Sequence, residues 1–128
     1  MKNILIIDDS RDLLDAMSIF LEANGYSVKT DTGCKDIINI VNEFDPDLVI
    51  LDIFLTDEDG RETCKNLRRH SETKHLCIIL LSGYGTALEN YRDYGADDYI
   101  EKPFDINDLL KKIEFVLNSC NEQKLHLE

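Results

Sequence analysis

Between Ile4 and Leu117 short, unbroken apolar runs alternate with stretches whose apolar residues recur at helical spacing. Few architectures accept that rhythm. Ile4-Leu5-Ile6-Ile7 is β-branched and shows no polar alternation, as a strand does when both faces of a parallel sheet are covered. Leu48-Val49-Ile50-Leu51 and Cys77-Ile78-Ile79-Leu80-Leu81 read the same way. Ser27-Thr30 is weakly apolar and belongs at an edge, and Tyr99-Ile100 forms a short fifth strand. Helical faces lie between the strands. Leu13, Leu14, Met17, Phe20 and Leu21 follow Ser10 as N-cap and stop at Gly25. Ile37, Ile38, Val41 and Phe44 end at Asp45-Pro46, and a third helix opens at Asp59-Gly60. Ala87, Leu88, Tyr91 and Tyr94 predict a weaker fourth helix that ends at Gly95. Asp105 caps the last helix, with Asp108 placed as in a capping box and Ile106, Leu109, Leu110, Ile113, Val116 and Leu117 on its buried face. Five strands alternating with five helices predict a doubly wound α/β sandwich around a parallel sheet. The domain is expected over residues 1–120, leaving 121–128 as a tail whose Leu127-Glu128 resembles a cloning remnant.

At 128 residues the chain is long enough to bury a core without disulfide or metal staples. Its net charge of -12 disfavours a nucleic-acid surface, which needs clustered Lys and Arg. Cys34, Cys64, Cys77 and Cys120 show no CxxC spacing and are expected as reduced thiols, which places the protein in the cytosol. The opening residues are too short an apolar stretch for a signal peptide or a membrane span.

Open parallel sheets bind ligands outside the carboxyl ends of their strands. Strand one runs into Asp8-Asp9, strand three into Asp52, strand four into Ser82 and strand five into Glu101-Lys102. Taken singly, each has a bland reading: a helix-capping pair, a lone acid, a turn serine before Gly83, a solvated loop lysine. Nothing in those bland readings would align them on one rim, and the joint placement favours a site. Clustered carboxylates raise one another's pKa unless a cation sits among them, and an all-oxygen set suits Mg²⁺, with Mn²⁺ an acceptable substitute. A carboxylate beside a metal and a lysine is a credible nucleophile toward phosphorus. No Walker loop or glycine-rich dinucleotide fingerprint supports nucleotide binding.

Asp8-Asp9-Ser10, Leu51-Asp52-Ile53, Gly60, Leu81-Ser82-Gly83 and Tyr99-Ile100-Glu101-Lys102-Pro103-Phe104 together resemble the receiver domains of two-component signalling, over about residues 3–118. The resemblance implies a flavodoxin-like strand order of 2-1-3-4-5, the class for which a receiver serves as a standard example. It implies Asp52 as phosphoacceptor and Mg²⁺ held by Asp8, Asp9, Asp52 and the backbone carbonyl of Phe54. Lys102 would pair with the phosphoryl group, Ser82 would be the switch hydroxyl, Tyr99 the switch aromatic, and Lys102-Pro103 a cis peptide. For Tyr99 a half-buried strand aromatic is an equal alternative. It further implies a sensor histidine kinase or histidine phosphotransfer protein as donor. A downstream protein target would dock on the face built from Ala87–Tyr94, strand five and the last helix. Tyr84, Tyr91 and Tyr94 near that face read more readily as packing than as partner contacts. Such a domain assists its own phosphorylation and dephosphorylation, but its output is binding, so it is a switch and not an enzyme. No nucleic-acid or membrane contact is expected of it.

Two departures from the family's pattern stand out. Thr56 occupies a position where proline is common, and Asp57-Glu58-Asp59 adds three acids that read best as a helix-start cluster. Phe54 and Tyr84, two residues after Asp52 and Ser82, imply a water-shielded phosphoryl group and slow self-dephosphorylation. A phosphatase with an aspartate nucleophile is the competing reading. Asp8-Asp9 lacks the Asp-x-Asp spacing of such enzymes, and no segment reads as a cap domain.

Overall fold

The computed structural model describes the backbone of residues 2–127 and the side chains of residues 2–120. The strands are β1 (Asn3–Ile7), β2 (Ser27–Asp31), β3 (Leu48–Asp52), β4 (Cys77–Ser82) and β5 (Asp98–Glu101), and the α-helices are α1 (Arg11–Ala23), α2 (Ile37–Phe44), α3 (Gly60–Arg69) and α4 (Ile106–Leu127). All strand pairs are parallel, in the order β2-β1-β3-β4-β5. The flavodoxin-like order inferred from the sequence is therefore the one found.

Strand composition follows strand position. The central strands β1, β3 and β4 are apolar on both faces because each face is covered. Ile4, Ile6, Leu48, Ile50, Ile79 and Leu81 face one core with Leu14, Met17, Leu21, Leu109 and Ile113 from α1 and α4. Leu5, Ile7, Val49, Leu51, Ile78 and Leu80 face the other with Ile37, Val41, Cys64 and Leu67 from α2 and α3. The weak strand β2 lies at the edge, as its composition requires. Helix ends are set locally. The Ser10 side chain accepts from the Leu13 amide at 3.3 Å, and Asp105 accepts from the Asn107 amide at 2.7 Å. Asp45, after α2, takes a left-handed conformation with φ 51.

Two expectations are corrected. The predicted fourth helix is absent: Gly85–Leu88 and Tyr91–Tyr94 form two separate 3-10 turns. Of residues 85–94 only Leu88 is buried. Amphipathicity is thus too weak to carry a helix across Glu89-Asn90, and short helices depend on tertiary packing. Second, Cys77 and Cys120 are joined as a disulfide, whereas all four cysteines were expected as thiols. Cys34 and Cys64 are free and buried. The pairing has no sequence signal, since 43 residues separate the partners and only the docking of α4 on β4 brings them together. The expected tail, residues 121–128, lies outside the described side chains.

Candidate phosphoacceptor site

Chain reversal at the carboxyl ends of β1 and β3 brings the acids together. Asp8 and Asp9 follow β1, Asp52 ends β3, and the three offer carboxylate oxygens within 4.8 Å of one another. Asp8 is fully buried and Asp52 is 4% exposed, while Asp9 is exposed. Lys102, just beyond β5, reaches across β4 and donates from Nζ to Asp8 Oδ2 at 2.6 Å and to Asp52 Oδ2 at 3.2 Å. The remaining oxygens are held by local amides: Ser10 N–H donates to Asp8 Oδ1 at 2.9 Å and Phe54 N–H to Asp52 Oδ1 at 3.2 Å. The Asp52 carboxyl group is thereby fixed on both sides.

One ammonium thus faces three carboxylates. Burial, with the Asp8 charge added, holds the Asp52 pKa above its ordinary value despite Lys102. Burial also works against the Lys102 charge, but its hydrogen bond to Asp8 and the charges of Asp52 and Asp8 outweigh that and raise its pKa. A hard, oxygen-only donor set with surplus negative charge fits a small divalent cation such as Mg²⁺. Asp9 and Phe54 line the same pocket of about 260 Å³, and the Phe54 amide meets the Asp52 carboxylate.

Ser82 ends β4 beside β3 and is buried; its Oγ accepts from the Tyr84 amide at 3.0 Å, and its carbonyl accepts from Lys102 N–H at 2.8 Å. Tyr99 is not part of the carboxylate cluster. Its ring lies 4.9 Å from that of Tyr91, and Lys112 donates to its carbonyl at 2.6 Å with Nζ 4.8 Å from the ring centre. The Lys102-Pro103 peptide is cis, as the resemblance implied.

Phe54 and Tyr84 meet edge to face, with ring centres 5.2 Å apart, and remain 46% and 67% exposed. Sequence reasoning missed Arg61. Its guanidinium lies between Phe54 and Tyr94, 5.8 and 5.7 Å from their centres, and is clamped by Asp59 at 2.8 Å. An arginine two residues after a helix N-cap aspartate is a detectable signal for the clamp, though not for the aromatic contacts. The acidic cluster is structural in its contacts. Asp59 caps α3 through the Arg61 amide, Asp57 accepts from the Cys34 amide at 3.0 Å, and Glu58 accepts from the Thr63 hydroxyl. Thr56 lines the pocket shared with Asp9.

Comparison with known proteins agrees with this geometry. Residues 4–114 match the model of the response regulator receiver domain. The DNA-binding dual master transcriptional regulator RpaA of a Synechocystis species is 35% identical over 119 residues, which cover 91% of this chain and 49% of that protein. The chain therefore spans about half the length of that relative. A CheY-like receiver domain protein from Methanospirillum hungatei is 28% identical with a TM-score of 0.85, covering 96% of this chain and 98% of that one. A two-component response regulator from Clostridium difficile is 29% identical with a TM-score of 0.83, covering 92% and 97%. NtrX from Brucella abortus reaches a TM-score of 0.88 at 27% identity, covering 97% of this chain but 29% of that one. Among the described residues no helix is long and apolar enough to cross a membrane. With strand order, acidic rim and family model in agreement, this chain belongs to the response regulator receiver domains of two-component signalling.

Proposed function

We propose that Asp52 is the phosphoacceptor, charged by a phosphohistidine on a sensor histidine kinase or a histidine phosphotransfer protein. The observation that carries this reading is the Asp52 carboxyl group held at the mouth of the sheet between Asp8 and Lys102. An Asp52 oxygen forms the bond to phosphorus as the phosphorus–nitrogen bond of the donor imidazole breaks. Lys102 moves its hydrogen bonds from the carboxylates to the incoming phosphoryl oxygens and offsets their charge. Asp8, Asp9, Asp52 and the Phe54 carbonyl would hold Mg²⁺ or Mn²⁺, which supplies charge neutralisation at carboxylates and phosphoryl group alike. The Ser82 hydroxyl, now accepting from Tyr84 N–H, turns to donate to the phosphoryl group and draws the Tyr84 loop with it. That loop leads into the two 3-10 turns, which contact β5 and Tyr99.

On this reading the chain assists its own phosphorylation and dephosphorylation in the cytoplasm, and its output is a change in protein binding. The docking face is built from residues 85–94, β5 and α4. No nucleic acid or membrane is engaged by this domain, which occupies residues 1–120 and whose last helix runs on to Leu127. The exposed edge-to-face pair of Phe54 and Tyr84 supports a shielded phosphoryl group that is lost slowly.

Intact mass after incubation with acetyl phosphate and Mg²⁺ tests the assignment. One added phosphoryl group is expected, absent from Asp52→Ala and absent when Mg²⁺ is removed by chelator. An adduct that persists in Asp52→Ala would refute Asp52 as acceptor.

A further inference from the structure

We propose that Cys77 and Cys120 form a reversible thiol–disulfide pair, a modification site at the end of the sheet opposite the phosphoacceptor. Cys77 is the first residue of β4 and Cys120 lies on α4, with Cα atoms 6.3 Å apart, within the range a disulfide spans. The bond is not needed to build the fold, since apolar clusters already fill both faces of the sheet. A chain of this length folds without a staple. The pair is therefore free to open while the domain remains folded.

Its surroundings differ from those of the other two cysteines. Cys34 and Cys64 are buried and unpaired, and burial pushes both thiols up to about 11, where they are inert. Cys120 is 9% exposed but lines a pocket of about 260 Å³ with Arg92, Asp97 and Ser119, the side from which a small thiol would approach. A carboxylate oxygen of Asp97 lies within 4.8 Å of both sulfurs, and its charge is shared with Arg68 at 3.0 Å. Arg92 lines the same pocket.

Glutathione disulfide serves as the oxidant in the following balance. The Cys120 thiolate attacks one sulfur of glutathione disulfide and forms a mixed disulfide, releasing one glutathione thiolate. The Cys77 thiolate then attacks the Cys120 sulfur, forming the Cys77–Cys120 bond and releasing the second glutathione. Two electrons pass from the cysteine sulfurs to glutathione, and the two thiol protons end on the two glutathione thiols. Closing the bond ties the far end of α4 to β4. The same helix carries Lys112, which holds the Tyr99 carbonyl and covers its ring. The proposal does not rest on phosphorylation of Asp52.

The whole chain is equilibrated with defined mixtures of reduced and oxidised glutathione, quenched in acid, and alkylated under denaturing conditions for mass analysis. Four labels are expected at the reduced end and two at the oxidised end. The change should be reversible, with the unlabelled pair mapped to the peptides of Cys77 and Cys120. Cys120→Ser should take three labels throughout and Cys77→Ala likewise, the second variant guarding against a misfolded first. Amide exchange along α4 should be several-fold slower in the oxidised native protein than in the reduced one. Four labels at every ratio would overturn the proposal. So would two labels that excess reduced glutathione cannot raise to four, because the bond would then be a permanent staple.

Discussion

Lys102 donates to both Asp8 and Asp52, so a single ammonium balances two buried carboxylates while Asp9 adds a third nearby. The surplus is a cost to the fold, one that the proposed phosphoacceptor chemistry would require. Asp52→Asn, in chelator, is therefore expected to raise unfolding stability, measured by urea denaturation. The sign with pH follows from the raised Asp52 pKa. The penalty is absent below the ordinary value of 3.8 and grows as pH rises through the folded-state value. The gap between Asp52→Asn and the native chain should accordingly widen from pH 4 to pH 7. Adding Mg²⁺ should narrow it by stabilising the native chain alone. A variant less stable than the native chain at pH 7 would show that Lys102 more than repays the crowding. Cys64 behaves in the alkaline range as Asp52 does in the acid range. Its thiol is raised by burial from 9.0 to about 11, so stability is present below pH 9 and lost as pH rises toward 11. Cys64→Ala should lose about 2 kcal/mol less than the native chain across that interval, read from urea midpoints at each pH. Equal losses would mean that Cys64 ionises as freely in the fold as out of it.

Among the elements, the loop from β3 to α3 is the one that cannot yield. A Cβ on Gly60 would sit 2.0 Å from the backbone carbonyl oxygen of Asp52, with no flexible side chain to move aside. Gly60→Ala should cost at least about 2 kcal/mol in urea unfolding and slow acetyl phosphate labelling of Asp52, because the strand end itself must shift. Stability and labelling equal to the native chain would show the loop to be more compliant than its geometry implies. Sequence reasoning reached Gly60 as a helix start and as part of a motif; the close approach depends on how α3 seats on β3. The strands were legible because Ile4–Ile7, Leu48–Leu51 and Cys77–Leu81 can be nothing but buried when uninterrupted at that length. Asp8, Asp52 and Ser82 were legible because each follows such a run directly, and Lys102 because it follows the short fifth strand. The stretch from Tyr84 to Gly95 was not. Ala87, Leu88, Tyr91 and Tyr94 keep helical spacing, yet Tyr91 and Tyr94 are only half-buried at the margin of the core, and their rings also pack on Tyr99, Arg61 and Lys65. The contact pattern that splits the helix into two turns is tertiary, and no local rule anticipates it. Hydrogen exchange should therefore be faster across residues 85–94 than across α1, which buries Leu14, Met17 and Leu21.

At the scale of the whole molecule, the two cores meet only through the sheet, and α4 closes the layer it shares with α1. The Cys77–Cys120 bond crosses that layer and closes 43 residues, including the 3-10 turns, β5 and most of α4. Neither the pairing nor its span could be read from the chain, since spacing alone does not say which helix lies over which strand. Chain-entropy reasoning gives a stabilisation of about 4 kcal/mol for a loop of this length, acting on the unfolded state. For a domain of this size that corresponds to a Tm difference on the order of 10 °C between oxidised and reduced protein. Calorimetry of the two forms, with Cys120→Ser as the reference that cannot oxidise, measures it. The reduced chain and Cys120→Ser should melt together, well below the oxidised chain, and all three should show the same far-ultraviolet circular dichroism. The proposed phosphoacceptor rim lies at the other end of the sheet, so acetyl phosphate labelling of Asp52 should survive in Cys120→Ser. A Cys120→Ser chain that melts with the oxidised protein would mean that α4 is already fixed by Leu109, Ile113 and Val116. The bond would then add nothing to the fold. A Cys120→Ser chain without cooperative melting would mean the reverse, that packing alone does not hold the last helix.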